Sequence, residues 1–352
     1  MGVVCPKCRA TYDDLNLVQC PRDGALLVSA KDAARAVPPV PESQRPDPMV
    51  GRTLEGRYTI LARLGAGSMG TVYRAKQHAM GREVAIKILR SDRAVDDAAK
   101  ARFLREARTN SLLASPNTVT VFDFGQAQTG ELYLAMELLD GESLGQRLHR
   151  GGRMSVAASV DTTRQALRSL AEAHAKGIIH RDLKPDNVIL IAAGNEAGGG
   201  LKLIDLGVAR LPRVEDFHGD EIPGTPGFMA PEQFQGKGVD RRVDIYSAGV
   251  VLYHLLVGKP PFAGTTEALM YKVLNEPPAL PSTLPGFEHL VPFDAVVATA
   301  LAKEPNRRYP SAGAFKEALV AAAGRPVQAT ISSATLVEVL RAKTRPPPPT
   351  PS

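Results

Sequence analysis

The stretch that decides the fold is His180-Arg181-Asp182-Leu183-Lys184-Pro185-Asp186-Asn187, followed eighteen residues later by Asp205-Leu206-Gly207. Phosphoryl transfer requires a carboxylate that orients the attacking hydroxyl, oxygen ligands for Mg²⁺ or Mn²⁺, and cations against the phosphates. Asp182 can be the carboxylate and Lys184 the cation. Asn187 and Asp205 can be the metal ligands. An ordinary polar loop would explain any one of these residues, but their order and spacing together predict phosphoryl transfer from ATP.

A glycine-rich loop lies upstream, in Gly65-Ala66-Gly67-Ser68-Met69-Gly70. Glycines let backbone N–H groups approach phosphate oxygens without a Cβ in the way. The same spelling occurs in plain hairpins and in dinucleotide-binding folds, but a dinucleotide fold needs a helix directly after the loop. Here strand-like sequence stands on both sides. The loop therefore predicts a phosphate-binding hairpin, with a hairpin of no special function as the alternative.

Lys87 ends the apolar run Val84-Ala85-Ile86-Lys87, and Glu106 follows nineteen residues later in a helical stretch. A lysine on a strand can simply point to solvent, because side chains alternate between the two faces. A buried lysine instead needs an acidic partner to remain charged. We expect Glu106 to hold the Lys87 ammonium where it meets the α- and β-phosphates.

Residues 58 to about 320 resemble the protein-kinase domain, specifically the eukaryotic-like (Hanks-type) serine/threonine kinases of bacteria. The motifs occur in the family's order, with Asp205-Leu206-Gly207 in place of DFG, Met229-Ala230-Pro231-Glu232 in place of APE, and Tyr246 in place of the tryptophan of DxWSxG. The resemblance implies an α+β, two-lobed fold with a small β-rich lobe, a large α-rich lobe and ATP between them. It also implies that Arg308 pairs with Glu232.

The resemblance also assigns the nucleotide pocket and the substrate class. Met136 would be the gatekeeper, and Glu137 to Leu139 the hinge that hydrogen-bonds the adenine edge. Thr225 would contact the catalytic Asp182 and Lys184. The adenine would lie between four apolar side chains: Leu64, Val72, Ala85 and Ile189. A lysine two residues after the catalytic aspartate is typical of Ser/Thr-specific enzymes, so protein substrates and autophosphorylation are expected.

Two other functions remain open at this point. A pseudokinase would serve as an ATP-binding signalling scaffold without transferring phosphate, and it usually lacks the lysine, the base or a metal ligand. None of these residues is missing. A small-molecule phosphotransferase shares the core of the fold but usually lacks the APE segment, which is present here as residues 229–232.

The segment between Asp205 and Thr225 contains no Ser, Thr or Tyr, but it does contain Glu215, Asp216, Asp220 and Glu221. Many kinases with an arginine before the catalytic aspartate are activated by a phosphate that pairs with that arginine. One hypothesis is that a carboxylate of this segment meets Arg181 instead. The alternative is that these are solvated loop charges, since exposed ion pairs contribute only ~0–1 kcal/mol.

The N-terminal pattern Cys5-x2-Cys8-x11-Cys20-x2-Asp23 has the spacing of a zinc ribbon whose last ligand is Asp. Structural zinc takes four ligands and accepts carboxylate oxygen as well as thiolate. A unit this small needs a bound metal to stabilise its fold, because it cannot bury a hydrophobic core. Metal-free, redox-active cysteines are the alternative. A docking partner is the one role the ribbon suggests.

Composition divides the chain into a cysteine-containing unit (1–28), an Ala/Pro-rich linker (29–50), the kinase-like domain (51–323) and a Pro-rich disordered tail (324–352). The formal charge is +6, but no basic run is interleaved with aromatics, so nucleic-acid binding is not expected. No apolar run reaches ~18 residues, which predicts no membrane span. All three cysteines lie in the first twenty residues, which favours a reducing cytoplasm over a disulfide framework.

Overall fold

A computed structural model of the chain describes residues 3–5, 10–12, 17–22, 24–29, 47–67, 70–89, 97–192, 200–206, 226–236 and 238–324. The chain divides into two units, residues 1–52 and residues 53–352. Within the described ranges, no helix has both the length and the apolar character needed to cross a membrane. The expected linker falls mostly outside these ranges, and the expected tail falls outside them from residue 325 onward.

The first unit contains three short strands, β1 Val3–Val4, β2 Thr11–Tyr12 and β3 Val28–Ser29, which form an antiparallel sheet in the order β2-β1-β3. Two turns in it have the same span. The Cys5 amide donates to the Ala10 carbonyl at 3.0 Å, and the Cys20 amide donates to the Ala25 carbonyl at 2.8 Å. Both cysteines are buried. Each of these hydrogen bonds therefore begins at a buried cysteine and spans five positions of the sequence.

The second unit begins with a small lobe built on β4 Thr53–Leu54, β5 Tyr58–Gly67, β6 Gly70–Gln77, β7 Arg82–Leu89, β8 Val121–Gln126 and β9 Leu132–Glu137. These strands form one antiparallel sheet in the order β4-β5-β6-β7-β9-β8. Strand β7 is central, and its run from Val84 to Ile88 is buried. Helix α1, Asp97–Asn110, packs Phe103 and Ala107 against the sheet residues Leu132 and Leu134.

The large lobe is mainly helical, and its helices are α2 Leu144–Gly151, α3 Val156–Ala175, α4 Pro231–Phe234, α5 Arg242–Val257, α6 Thr266–Asn275, α7 Val291–Ala300 and α8 Ala312–Ala323. Helix α3 begins after Ser155, whose side chain accepts from the Ala158 amide and so caps the helix. Helix α5 is buried except at Arg242 and His254, because its sequence is apolar on every face. It lies at the centre of the main apolar cluster.

A second antiparallel sheet lies in the large lobe, formed by β10 Gly141–Ser143, β11 Val188–Ile191 and β12 Leu201–Leu203. The stretch 180–187 comes directly before β11 and ends in the 3₁₀ turn Pro185–Asn187. Asp205 follows β12 by two residues. Because β11 and β12 are paired, the stretch 180–187 and Asp205 lie side by side. The small lobe built on a sheet and the large helical lobe together confirm the predicted two-lobed α+β fold.

Candidate active site

Asp182 and its neighbours form a hydrogen-bonded group at the start of β11. Asp182 Oδ2 accepts from Lys184 Nζ at 2.8 Å and from Asn187 Nδ2 at 3.1 Å. Asn187 Nδ2 also donates to the Asp182 carbonyl at 2.8 Å. Among the described residues both side-chain bonds fall on Oδ2, so Asp182 Oδ1 is available to another donor. The side-chain nitrogen of Asn187 donates both of its bonds to Asp182, so the side-chain oxygen remains available to bind a cation.

Lys87 on β7 reaches across to Asp205, and its Nζ donates to Asp205 Oδ1 at 2.7 Å. Lys87 is only 4% exposed, and its buried ammonium is paired here with Asp205, whereas the partner expected from the sequence is Glu106. The Ile204 amide donates to the Asn187 carbonyl at 3.0 Å, which joins the Lys87–Asp205 pair to the Asp182 group. The four groups predicted to meet one nucleotide therefore belong to one connected cluster.

Glu106 lies on α1, half-buried, one turn before the end of that helix. Its pairing with Lys87 stays a prediction. Thr225, Gly207, Ser68 and Met69 lie outside the described residues, as do the four acidic residues between Asp205 and Thr225.

The catalytic backbone is strained at two points. Of the described residues other than glycine, only three have a positive φ, and two of them are Arg181 at +67° and Asp205 at +60°. This left-handed conformation costs an ordinary residue ~1–2 kcal/mol, so surrounding contacts must hold it. Asp244, at the start of α5, accepts from the His180 and Arg181 amides at 2.8 Å each. Gln233 Nε2 donates to the Arg181 carbonyl at 3.0 Å.

Asp244 is fully buried, and a third donor, His174 Nε2 on α3, lies 2.7 Å from its Oδ2. A buried carboxylate is tolerated only when several donors satisfy it. Sequence reasoning treated Asp244 only as part of a motif and assigned it no role. A sequence feature that could have identified Asp244 was present, since this aspartate lies in the first turn of a helix that is otherwise almost entirely apolar.

The predicted adenine pocket is an apolar cluster between the lobes. Ala85 and Met136 are each 6% exposed, and Val72 and Leu139 pack beside them. Ile189 is half-buried on β11, whereas Leu64 is 52% exposed on β5. Leu138, inside the predicted hinge, also belongs to the cluster, and two further members were not predicted: Val119 and Ile204. These two residues come from separate segments, so no local pattern identified them.

The hinge is fixed by a lysine that the sequence did not single out. Glu137 Oε1 accepts from Lys202 Nζ and from the Thr120 amide, both at 2.6 Å. The Glu137 amide donates to the Thr120 carbonyl at 3.0 Å. Because Lys202 lies on β12, three residues before Asp205, this contact joins the hinge to the strand that carries the metal-ligand candidate.

The glycine loop connects β5 to β6, and its glycines are needed for different reasons. A Cβ built on Gly65 or Gly67 would meet no atom of the described residues within 4 Å, so none of these residues blocks the approach of a ligand at the two positions. A Cβ on Gly70 would lie 2.2 Å from the Ile88 carbonyl oxygen. Gly70 is therefore required by the close approach of β7.

The donor set fits a magnesium ion. Asp205 has a carboxylate oxygen beside the one that Lys87 contacts, Asn187 has its amide oxygen, and both are the hard ligands that Mg²⁺ prefers. Within the described ranges, no group of three or more His, Cys, Asp or Glu could hold a metal. An ion held by Asp205 and Asn187 would thus need oxygens from the nucleotide as well, as is usual for Mg²⁺ in such enzymes.

The predicted pair between Glu232 and Arg308 is confirmed. Arg308 Nη1 and Nη2 donate to the two Glu232 oxygens at 2.7 and 2.8 Å, with both residues buried. The Arg308 guanidinium also lies 5.0 Å from the centre of the Tyr246 ring. Burial raises the pKa of the Tyr246 hydroxyl well above its usual value, so Tyr246 remains neutral as the family's tryptophan would.

The comparisons with known proteins all indicate one family. A family model described as protein kinase domain matches residues 58–311. The chain is 37% identical over 282 residues to serine/threonine-protein kinase pkn3 of Myxococcus xanthus, covering 78% of this chain and 51% of that protein. It is 37% identical over 286 residues to serine/threonine-protein kinase PknA of Mycobacterium tuberculosis, covering 79% of this chain and 64% of that protein.

Solved structures agree. The crystal structure of the M. tuberculosis PknI kinase domain matches with a TM-score of 0.62 and 29% sequence identity, covering 78% of this chain and 98% of that one. The chain spans about half the length of the curated relatives it matches.

Proposed function

Because this chain belongs to the protein kinase domain family, we propose that it is a serine/threonine protein kinase that transfers the γ-phosphoryl group of ATP to protein hydroxyls, its own included. The observation that carries the proposal is the connected cluster of Lys87, Asp182, Asn187 and Asp205. The relatives named above are serine/threonine kinases, which supports the substrate class.

In this proposal Asp182 orients the attacking hydroxyl and takes its proton. The bonds from Lys184 and Asn187 hold Oδ2, so Oδ1 faces the substrate with its position already set. Lys184 is close enough to the same carboxylate to neutralise charge on the transferred group. Thr225 completes the set as a contact for Asp182 and Lys184.

The nucleotide phosphates are positioned by the small lobe. Lys87 meets the α- and β-phosphates, with Glu106 as its second partner, and the glycine loop covers the phosphates from above. Magnesium, when bound, neutralises phosphate charge, and Asn187 and Asp205 hold it. The apolar cluster of Val72, Ala85, Met136, Leu139, Leu64 and Ile189 receives the adenine. The hinge backbone from Glu137 to Leu139 hydrogen-bonds its edge.

The test is incubation of the purified protein with magnesium, ATP labelled at the γ-position and a Ser/Thr-containing protein. We expect label on the hydroxyls of the added protein and of the kinase itself. The Asp182→Asn variant should lose at least ~100-fold in rate and still bind nucleotide, because the variant removes only the base. A protein that binds ATP without labelling any hydroxyl would be a scaffold, and label on small metabolites alone would indicate a small-molecule phosphotransferase.

A second proposal concerns the first unit, where Cys5, Cys8, Cys20 and Asp23 would hold zinc and present a docking surface to a partner protein. Cys5 and Cys20 are buried at the starts of two turns of equal span. Cys8 and Asp23, which lie outside the described residues, each follow by three positions, so the Asp occupies the place equivalent to a thiolate. Metal analysis of fresh, reduced protein should find about one zinc per chain. Far less would contradict the proposal.

We also propose a cytoplasmic location. The reaction uses ATP, and all three cysteines lie in the first twenty residues rather than in pairs across the fold, which suits a reducing compartment.

A further inference from the structure

Asn110 is a buried polar residue that none of the kinase motifs includes. It is the last residue of α1 and is 6% exposed. Its side-chain amide Nδ2 donates to the backbone carbonyl of Leu206. Leu206 is itself 3% exposed and directly follows Asp205, the metal-ligand candidate. The bond therefore joins the small-lobe helix to the segment that must place Asp205.

The surroundings of Asn110 are mostly apolar. A cavity of about 10 Å³, room for one water molecule, lies beside it and is bordered by Leu113, Val119, Val121, Leu134, Met136 and Leu206, together with the polar residues Thr118 and Asp205. Burying an amide in such a place costs free energy unless its hydrogen bonds are made. The hydrogen bond to the Leu206 carbonyl therefore accounts for a polar side chain at position 110.

Asp205 needs support on both sides because its φ of +60° is unfavourable for an aspartate. Lys87 holds its side chain at 2.7 Å. The Ile204 amide, just before it, is bonded to the Asn187 carbonyl at 3.0 Å. Asn110 secures the carbonyl just after it. Among the described residues, this is the side-chain contact that fixes the backbone on the C-terminal side of Asp205.

We propose that Asn110 is a positioning residue for the metal site: by bonding the Leu206 carbonyl, it holds Asp205 in the conformation that presents its carboxylate to magnesium. This inference rests on the proposed function, because it concerns the metal that accompanies ATP. It adds a residue outside the motifs, and it makes the end of α1 a direct determinant of metal affinity.

The experiment measures nucleotide binding by calorimetry with the non-hydrolysable β,γ-imido analogue of ATP, in magnesium and in EDTA. The ratio of the two dissociation constants gives the gain in affinity due to the metal. Asn110→Leu removes the donor at similar size, and Asn110→Ala removes it with a smaller side chain; neither adds a charge. We expect either variant to reduce that gain about three- to tenfold, the scale of one lost hydrogen bond, with binding in EDTA unchanged.

Two controls separate positioning from folding. Ser111→Ala alters the next residue, an exposed one whose hydroxyl donates to the nearby Arg108 carbonyl, and should leave both constants unchanged. Phe103→Leu weakens the packing of α1 and should lower the melting temperature without changing the metal-dependent gain. If one Asn110 variant fails to fold, the other still gives the answer.

If the wild-type protein gains affinity from magnesium and a folded Asn110 variant gains equally, the role of Asn110 is overturned and the proposed kinase function stands. If the wild-type protein shows no gain and labels no hydroxyl, both are overturned. A reduced gain in the Asn110 variants, with unchanged Ser111→Ala, supports the inference.

Discussion

At the scale of single residues, the site depends on a few buried polar groups with several partners each. Asp244 is the clearest case, since it satisfies the His180 and Arg181 amides and the His174 ring at once. It touches no reacting group, yet it holds the backbone that carries Asp182. The candidate catalytic side chains of Asp182 and Lys184 are thus partly exposed, whereas the side chains that hold their backbone in place are buried.

The glycines of the phosphate loop should respond differently to substitution. Gly70→Ala places a Cβ against the Ile88 carbonyl, so we expect a loss of about 1–3 kcal/mol in the free energy of unfolding. Gly67→Ala meets open space and should leave stability unchanged while raising the KM for ATP, because a methyl group then obstructs the loop amides. Denaturant titration and ATP-dependent rates check both. Equal stability losses in the two variants would contradict this assignment.

Arg181 provides a second prediction at this scale. Its Nε is buried with no hydrogen-bond partner among the described residues, and no hydroxyl lies between Asp205 and Thr225 to receive a phosphate. If a carboxylate of that segment replaces the phosphate, protein pretreated with phosphatase should keep its activity within about twofold. A large loss would count against the idea, and a Thr225→Ala variant would show whether Thr225 is the regulated site.

At the scale of elements, the connection between α1 and β8 is attached to the large lobe through α3. Glu172 on α3 accepts from the Ala114 and Ser115 amides at 2.9 and 2.7 Å. Asn117 donates to Gln165 on the same helix at 2.8 Å, and the Thr118 and Ser169 hydroxyls bond at 2.6 Å. Helix α3 therefore sets where the small lobe's helix ends, which is also where Asn110 lies.

Glu172 makes stability depend on pH. Burial acts to raise the pKa of its carboxyl, but the Ala114 and Ser115 amides and Lys176 outweigh burial and hold the pKa below its ordinary value of 4.5. A lowered carboxyl pKa stabilises the fold above that value, and the contribution is lost as pH falls through the folded pKa. Glu172→Gln should cost about 1 kcal/mol at pH 7, allowing for solvent screening.

The stability difference between wild type and Glu172→Gln should itself depend on pH. The difference in unfolding free energy between wild type and Glu172→Gln should begin to shrink as the pH falls below 4.5, where the unfolded carboxyl becomes protonated, and should vanish as the pH falls through the lower folded pKa. Denaturant titrations at pH 7, 5 and 4 would measure it. A difference that stays constant across this range would show that the charge contributes nothing.

At the scale of the whole molecule, every contact of the site described above lies within the second unit. A shortened protein of residues 51–324 should therefore fold and transfer phosphate at a rate within about twofold of the full chain. Its melting temperature should change by less than about 3 °C, since ~1 kcal/mol shifts a domain of this size by 2–4 °C. Calorimetry and the labelling assay check both, and an insoluble or inactive product would place part of the kinase domain in residues 1–50.

Much of the kinase domain could be predicted because its chemistry is concentrated in short local patterns. The stretch 180–187 and Asp205 predict phosphoryl transfer by residue type and spacing alone. The apolar strand around Lys87 indicates a buried position. The pairing of Glu232 with Arg308 was predicted only through the family resemblance, since 76 residues separate them.

The sequence by itself determined which groups are candidates for the site, because motifs are local patterns, and it determined the two-lobed class of the fold through the family resemblance that those motifs carry. Only the tertiary structure decided what holds those groups: Asp244 beneath Arg181, Lys202 against Glu137, and Asn110 on Leu206, pairs that lie 63, 65 and 96 positions apart. The physical reason is that a buried polar side chain takes its partner from whatever packing brings near it, and packing depends on the whole chain.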